Sequence, residues 1–449
     1  MGPDRGRDGF HPVPILGVHG PKARPPCGSD GWRSRNRLSM QPTLTASCWL
    51  ATSLLLAWFT AGSLALARTA EPPPAAPVPY LDFRQQSLQY YGSDRPLTDS
   101  SEIRVGWFGP HLEGSLGADA FWAAQLAVDQ ANSARPADAP PIRLVPCWTD
   151  DPWGSGVAQL ARMVFQEKPV ALLGSLDSAS THLAEQIVAK ANLPLLSPVA
   201  TDKTATLAGL SWMFACAPSD RAVAELLVGE ILKTTGPDRA PFALLTATDH
   251  ESRMLSREIL NICSSRGRLP NFQFTFTPAA TQFEVQIDAL EAAQPRAVLL
   301  VATPEDAARL TIAVRQRLPR AMLYGGPSFG RHEFLAHAGP ASEGVRFPLL
   351  YRPEPSDPVD AYLRDRFRSH FGRDPDYVSA LTYDATRLLL AAIDQAGPRR
   401  ATVRQALADL SPWQGIAGTI RFDGTGQNTR TDLVLGTIRH GSIQPLCAP

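Results

Sequence analysis

Apolar and polar positions along the chain follow a repeating pattern of short strands and amphipathic helices from residue 102 onward. The segment IRVGWFG, at 103–109, predicts a strand, and the following GADAFWAAQLAVDQAN predicts a helix with a largely apolar face. The same order continues through IRLVPCW, GVAQLARMVFQ, VALLGS, HLAEQIVAKAN and LPLLSP. Strands rich in Val, Leu and Ile that alternate with helices form parallel sheets covered on both faces, so the pattern predicts an α/β fold built from βαβ units.

The rhythm resumes after residue 220 and predicts a second α/β unit. Its strands are predicted at FALLTA, NFQFTF, AVLLVA and AMLYGG, with a helix before or after each. Near the C-terminus a long helix is predicted at 379–397, then a helix at ATVRQALADL. The last segment is hairpin-like, with Asp423-Gly424 as its turn. Two α/β units favour a ligand site in the crevice at the carboxyl ends of their strands.

The segment GSLDSAST, at 174–181, lies between a predicted buried strand and a helix and is rich in small polar side chains. A helix N-terminus presents unpaired N–H groups and the positive end of the helix dipole, which together attract anions. Small hydroxyl residues there allow an anion to approach and add donors of their own. The alternative is that Asp177 or Ser178 only caps the helix. Taken alone, these residues favour the cap.

An apolar run near the N-terminus has the layout of a secretory signal peptide. The run at 49–67 has no charged residue, follows the basic segment RSRNR and ends in an A-x-A pattern. We therefore predict a signal peptide at 40–67, a Pro-rich linker and lead-in at 68–101, and a periplasmic or other extracytoplasmic protein. Residues 1–39 are interpreted as a disordered extension or as sequence upstream of the true start. An uncleaved run would instead anchor the chain in a membrane.

Composition restricts the classes of partner and chemistry. The 449 residues include 43 basic and 43 acidic ones, which gives no basis for binding nucleic acid or an anionic membrane surface. The HExxH and phosphate-loop motifs are missing from the sequence, and the G-x-S-x-G match GPSFG, at 326–330, is interpreted as only superficially similar to a nucleophile elbow, so we predict no enzyme activity and no cofactor. No cysteine has metal-ligand spacing, and no metal is predicted. Four cysteines follow the signal segment, and their three possible pairings stay open: Cys147, Cys216, Cys263 and Cys447.

A set of short motifs occurs in a fixed order between residues 103 and 443: IRVGWFGP, AAQLAVDQAN, LLGSLDSAST, LPLLSPVATDKTAT, FACAPSDRAVAELL, TYDATRLLLAAI and GIAGTIRFDGTGQ. The ordered set resembles the type I periplasmic solute-binding proteins, in the branch of leucine/isoleucine/valine-binding proteins of ABC importers. This resemblance implies two Rossmann-like lobes with mostly parallel sheets, joined by three crossovers, that close over a small ligand. It implies one lobe from 102–219 plus 347–421 and a second from 220–346 plus 422–446.

The resemblance also implies ligand contacts where the strands end. Ser178 is expected to bind a ligand carboxylate, with Ser180 and Thr181 as weaker contacts. At the next strand end, Ala200 is expected to offer a backbone carbonyl and Thr201 a hydroxyl to an amino-acid ligand. Without the resemblance, both segments would be interpreted as polar βα turns.

Other positions match the family only in part. Asp220 matches an acidic residue near the cleft, and its alternative role is to cap the helix that follows. Ser328 stands where amino-acid binders place a carboxylate for the ligand ammonium. Aromatic residues of the family are replaced at three positions: Leu116, Glu251 and Thr303. Either Glu251 or Asp249 supplies the missing negative charge from another direction, or the ligand has no ammonium group.

The functional hypothesis is therefore extracytoplasmic binding of a small polar ligand by hinge closure. The ligand is expected to be an amino acid, an amide or a small organic acid, delivered to an ABC importer through its permease. Membrane contact is expected only through the signal or anchor segment or the permease. The alternative is a sensor component that presents its ligand state to a separate receptor; permease genes or kinase genes nearby would discriminate the two.

Overall fold

The computed structural model describes residues 101–202, 206 and 212–446. The predicted extension, signal peptide and linker, and Cys447, lie outside these residues. The first part of the fold is a parallel sheet of five strands, in the order β2-β1-β3-β4-β5. These strands are β1 Ile103–Gly109, β2 Ile142–Trp148, β3 Ala171–Gly174, β4 Leu195–Ser197 and β5 Met213–Ala215. The helices between them are α1 Ser115–Ala134, α2 Val157–Gln166 and α3 Ser178–Ala191.

The second sheet has seven strands and is mostly parallel. It contains β6 Phe242–Ala247, β7 Phe272–Phe276, β8 Ala297–Val301, β9 Met322–Gly325, β10 Arg346–Leu349, β13 Val434–Arg439 and β14 Ser442–Pro445, in the order β14-β13-β10-β9-β8-β6-β7. Only the pairs made by β13, with β10 and β14, are antiparallel among its described pairs. Its helices are α4 Asp220–Thr235, α5 His250–Ser265, α6 Glu284–Ala293, α7 Pro304–Arg317 and α8 His332–Ala338.

The chain then returns to the first sheet. It forms α9 Pro358–Phe371, α10 Tyr377–Ala396 and α11 Arg400–Asp409, followed by the two-residue strands β11 Trp413–Gln414 and β12 Thr419–Ile420. Side chains of α10 such as Leu381 and Leu388 share one hydrophobic core with Trp107 of β1 and Ala124 of α1. Burial on all sides explains why α10 is apolar over most of its length.

The chain therefore crosses between the sheets after β5, after β10 and between β12 and β13. The prediction of two α/β lobes with mostly parallel sheets and three crossovers is confirmed. The lobe boundaries drawn from the sequence remain a proposal. We now place the second crossover, which the sequence analysis put between residues 346 and 347, after Leu349. The reason is that β10 pairs with β9 and β13 and so belongs to the second sheet.

Three local features differ from the predicted ones. Helix α3 begins at Ser178 and so includes hydroxyl residues expected in the preceding loop. The regular C-terminal hairpin is β13–β14, which turns at His440 and Gly441. The predicted Asp423-Gly424 turn forms a separate tight loop, in which the Asp423 N–H donates to the Gln427 carbonyl oxygen at 2.9 Å.

Cys147, Cys216 and Cys263 are buried free thiols, so no disulfide joins any two of these three. Burial raises the pKa of Cys147 and of Cys263 to about 11, which keeps both thiols protonated and unreactive. None of the helices in the described part of the chain is both long enough and apolar enough to cross a membrane.

Candidate functional site

A cavity of about 380 Å³ lies between the two lobes, where strands of both sheets end. Leu176 and Val199 line it from the first sheet, and Val301 and Gly326 line it from the second. Its charged lining among the described residues consists of one arginine, Arg331, and six carboxylates: Asp177, Asp220, Asp249, Glu251, Glu305 and Glu333. The cavity is therefore strongly acidic.

Asp177 forms the N-cap of α3. One of its carboxylate oxygens accepts a hydrogen bond from the Ser180 N–H at 2.7 Å, and its carbonyl oxygen accepts one from the Thr181 hydroxyl at 2.6 Å. The strand before it ends at Gly174, whose φ of 117° and whose approach to Phe108 exclude a side chain, since a Cβ would lie 2.1 Å from the Phe108 carbonyl oxygen. Of the two residues considered as the helix cap, Asp177 and Ser178, the cap is therefore Asp177.

Ser178 makes a direct contact between the lobes. Its backbone N–H donates to one carboxylate oxygen of Glu251 at 2.8 Å, and its hydroxyl donates to the other at 2.9 Å. Glu251 is in the first turn of α5, which packs on the second sheet. A protein carboxylate thus occupies the two donors that the family resemblance assigned to a ligand carboxylate. Burial is the main cause that raises the pKa of Glu251, and the charge of Asp177 adds to it.

The cavity brings together five of the nine residues predicted for the site: Thr201, Asp220, Glu251, Thr303 and Ser328. The other four do not line it. Ser178 is turned to Glu251, Ser180 and Thr181 bond to Asp177, and Ala200 is buried. Direct ligand contact by these four residues, through the backbone carbonyl in the case of Ala200, therefore remains a prediction, and for Ser178 it requires Glu251 to withdraw.

Two of the predicted residues also have structural roles. The Ser328 hydroxyl donates to the Ala302 carbonyl oxygen at 2.7 Å, and Thr303 is the N-cap of α7. The cap of α4 is Ser219 and not Asp220, so the alternative role considered for Asp220 is wrong. Asp220 instead holds the first position of that helix and faces the cavity.

Asp220 and Asp249 each present a buried carboxylate oxygen that has no hydrogen-bond partner among the described residues. The other oxygen of Asp249 accepts a hydrogen bond from the Ser252 N–H at 2.9 Å, which fixes the carboxylate at the start of α5. Burial, with the charge of Glu251, raises the pKa of Asp220 to about 8, although a hydrogen bond from Thr201 opposes the shift. A buried acceptor without a donor is costly, so a donor group of a ligand placed here is strongly favoured.

Arg331 closes another side of the cavity and is itself neutralised. Its guanidinium lies 2.9 Å from Asp376, 2.7 Å from Glu333 and 3.4 Å from Asp119. The Ser115 hydroxyl also donates to Glu333. Because three carboxylates share this one guanidinium, Arg331 offers little positive charge to a ligand carboxylate.

Several lining residues were not predicted from the sequence: Ser115, Glu305, Arg331, Glu333 and Tyr377. Tyr377 supplies an aromatic surface to the cavity, in place of the family's aromatic residues that this chain lacks. It is the first residue of α10, directly after the N-cap Asp376. The segment DPDY, which contains Tyr377, has the pattern of an ordinary helix start. No sequence signal therefore indicates that Tyr377 also lines the cavity.

The described residues contain two groups of side chains with metal-ligand character: His182, Asp202 and His250, and Asp119, His332 and Asp376. Neither group was predicted. In the second, Arg331 and Arg373 already pair with Asp119, and these fixed positive charges oppose a metal cation. In the first, hydrogen bonds to Asp202 and to Glu185 raise the pKa of His182 to about 9, so its surroundings favour positive charge.

The Glu251→Gln substitution tests the contact between Ser178 and Glu251. We expect the ligand-free variant to open more readily, because a neutral amide loses a charge-assisted hydrogen bond worth about 1.5–3 kcal/mol. Small-angle scattering without ligand should give a larger radius of gyration than the wild type. Glu305→Gln, on an exposed cavity residue, is the matched control and should leave the radius unchanged. Equal radii for all three proteins would contradict the role given to Glu251.

The arrangement of two α/β lobes around a polar cavity defines a two-lobed ligand-binding protein. The chain matches the family model described as "Periplasmic binding protein" over residues 102–442. It therefore belongs to the periplasmic binding protein family, which confirms the resemblance drawn from its motifs. Membership of this family indicates an extracytoplasmic location and a ligand-binding protein in place of an enzyme.

Similar proteins bind different small molecules. An "Amino acid binding protein" of Pseudomonas aeruginosa is 22% identical over 348 residues, which cover 75% of this chain and 90% of the relative. The branched-chain amino acid binding protein LivJ of Streptococcus pneumoniae, solved with isoleucine, has a TM-score of 0.68 at 21% identity, over 76% of this chain and 98% of LivJ. A solute-binding protein of Rhodopseudomonas palustris, solved with benzoate, has a TM-score of 0.66 at 16% identity, over 77% and 95%. At these identities the solved structures establish the fold.

Proposed function

We propose that this protein binds a small solute with a cationic N–H donor group, such as an amino acid or an amine, and delivers it to an ABC importer. The observation that carries the proposal is the pair of buried, unpartnered carboxylate oxygens of Asp220 and Asp249 at the cavity wall. An ammonium group has three donors and no acceptor, so it suits an unpartnered carboxylate oxygen and balances its charge.

The wider lining supports the same ligand class. Six carboxylates face a cavity whose one arginine among the described residues is shared by three acidic partners. A ligand with a net negative charge would be repelled by the ionised members of this set, since like charges are weakly screened away from water. Of the ligand classes predicted from the sequence, the acidic cavity favours the amino acid over the amide and disfavours the small organic acid.

Size and apolar contacts restrict the ligand further. The cavity volume of about 380 Å³ is within the range of small-molecule sites. Leu116, Leu255 and Val301 provide apolar surface in the same cavity. Leu116 replaces a family aromatic, which leaves room for a flexible aliphatic chain. The proposed ligand therefore has an ammonium group on a short carbon skeleton.

Hinge closure and export complete the proposal. Because α3 and α5 bring the two lobes together at Ser178 and Glu251, rotation about the three crossovers would open and close the cavity. We propose that the N-terminal signal segment exports the chain to the periplasm and that a permease receives the ligand there. The closed, ligand-bound protein should have a smaller radius of gyration in small-angle scattering than the ligand-free protein.

The ligand class can be tested by thermal shift with matched compounds. Each set should contain an amine, the α-amino acid, the amide and the carboxylic acid of one carbon skeleton. Binding to the folded state adds about 2.7 kcal/mol of stability at 100-fold excess over Kd, so binders should raise Tm by several degrees. We expect shifts only from compounds with an ammonium group. Shifts from carboxylic acids without shifts from amines would refute the proposed ligand class.

Ligand affinity is expected to depend on pH through Asp220. Its pKa of about 8 means that this carboxyl is largely protonated in the ligand-free protein at pH 6. A bound ammonium stabilises the ionised form, so binding releases a proton below about pH 8, and affinity rises with pH by up to about tenfold per unit. The rise should stop above about pH 8, well below the usual lysine-like amine pKa of about 10.4.

Calorimetric titration at pH 6, 7, 8 and 9, in two buffers of different ionisation enthalpy, measures both the affinity and the proton released. The Asp220→Asn variant should show no such slope, because it lacks the titrating group. An affinity that falls as pH rises from 6 to 8 would be inconsistent with a cation bound at Asp220.

A further inference from the structure

Three side chains from both lobes meet beside the cavity without lining it. His182 lies on α3 and Asp202 follows β4, both in the first lobe, whereas His250 begins α5 in the second. The Nε2 atom of His182 is 3.4 Å from Asp202 Oδ2, and the Nε2 atom of His250 is 3.3 Å from the same oxygen. Their three ligand atoms lie within 4.8 Å of one another.

These separations fit the coordination shell of a transition metal. Bonds of about 2.0–2.1 Å in a tetrahedral site place neighbouring ligand atoms about 3.3–3.4 Å apart. Both histidine-to-aspartate distances have this value, and the two histidine nitrogens lie within 4.8 Å of each other. Two imidazoles and a carboxylate are ligands that suit zinc and its neighbours in the first transition series.

The carboxylate of Glu185 supports His182, the first of the three candidate metal ligands. Glu185, one turn after His182 on α3 and 6% exposed, lies with Oε2 3.1 Å from His182 Nδ1. Metal-binding histidines usually donate their second ring N–H to such a carboxylate, which fixes the tautomer and directs Nε2 at the metal. The backbone of Asp202 is also fixed, because its N–H donates to the Ser178 hydroxyl at 3.2 Å.

We propose that His182, Asp202 and His250 form a binding site for a divalent transition metal ion of the zinc class, which holds the two lobes together. Asp202 is buried and the two histidines are partly exposed, so an ion can reach the site from solvent. His250 precedes Glu251 on α5, and Ser178 accepts the Asp202 N–H while it donates to Glu251. A metal on His250 would therefore hold the same two helix ends that Ser178 and Glu251 connect.

The test is Zn²⁺ binding to the full chain, purified without a tag and stripped with a chelator. Equilibrium dialysis with elemental analysis should give one Zn²⁺ per chain more than the stripped protein holds. His250→Ala, in the second lobe, should weaken this binding by about 100-fold or more. Glu185→Gln should weaken it by about 10–100-fold, as expected for an outer ligand partner. His332→Ala, from the group that Arg331 and Arg373 neutralise, is the matched control and should bind Zn²⁺ like the wild type.

Asp202→Asn, in the first lobe, should weaken Zn²⁺ binding as His250→Ala does, and His182→Ala replaces it if Asp202→Asn fails to fold. Melting temperatures without metal establish that each variant is folded. Zn²⁺ should also reduce the radius of gyration of the wild type but not of His250→Ala. Absence of stoichiometric Zn²⁺ binding, or binding that His250→Ala leaves intact, overturns the proposal. The assay contains no solute, so its outcome is independent of the proposed ligand class.

Discussion

Arg331→Met is expected to lower the free energy of unfolding by about 3–5 kcal/mol, which is the cost of breaking a buried ion network by removing one partner. The substitution would leave Asp119, Glu333 and Asp376 close together without their shared guanidinium. Asp376 is also the N-cap of α10, so its repulsion from Asp119 would disturb the start of a core helix. Urea denaturation of the ligand-free variant measures the loss.

Arg317→Met provides the control, because Arg317 also pairs with two carboxylates but at an exposed site. Exposed ion pairs contribute about 0–1 kcal/mol, so this variant should be nearly as stable as the wild type. The loss in Arg331→Met should shrink at low pH, where the three carboxyls are protonated and no longer need a positive partner. Equal stability losses for the two variants would contradict the structural role assigned to Arg331.

The double variant Asp220→Asn, Asp249→Asn is expected to lose roughly 100-fold or more in affinity for the ammonium-bearing ligand. Hydrogen bonds to charged groups contribute about 1.5–3 kcal/mol each, and 1.4 kcal/mol corresponds to a factor of ten. The fold should be retained, because an amide at Asp220 removes a buried carboxyl whose charged form is already disfavoured. Asp249→Asn keeps an oxygen that can cap α5.

Calorimetric titration measures the affinity, and a thermal melt without ligand separates lost binding from lost folding. Glu305→Gln serves as the matched control, because Glu305 lines the same cavity but is exposed to water. That variant should bind within about threefold of the wild type, since screened surface charges contribute little. Unchanged affinity in the double variant would show that the ligand's cation binds elsewhere.

Most of the fold follows from the sequence because the signal is local. Each strand of the second lobe that is buried on both faces reads as an apolar run, and the helices between have clear polar faces. The three-residue strand β5 was not predicted, whereas the equally short β4 was, because β4 lies in the apolar segment LPLL. The start of α3 was placed too late, because its first turn consists of hydroxyl residues that favour caps and turns as much as helices.

The candidate site is predictable only in part. Residues at strand ends, such as Thr201 and Ser328, are expected at the cavity because parallel strands end together at one edge of a sheet. The contact between Ser178 and Glu251 joins residues 73 positions apart on different lobes, and no local pattern encodes it. The same holds for His250 beside His182 and for the carboxylates shared by Arg331, which depend on how the lobes pack.

A crystal structure with the ligand selected by thermal shift would show directly which side chains bind the ligand's cation. We expect a ligand nitrogen within about 3.2 Å of both Asp220 Oδ2 and Asp249 Oδ2, at hydrogen-bond distance. We also expect Glu251 still to accept hydrogen bonds from Ser178 when the ligand is an amine. A ligand carboxylate bound to Ser178, with no ligand nitrogen near Asp220 or Asp249, would contradict these expectations.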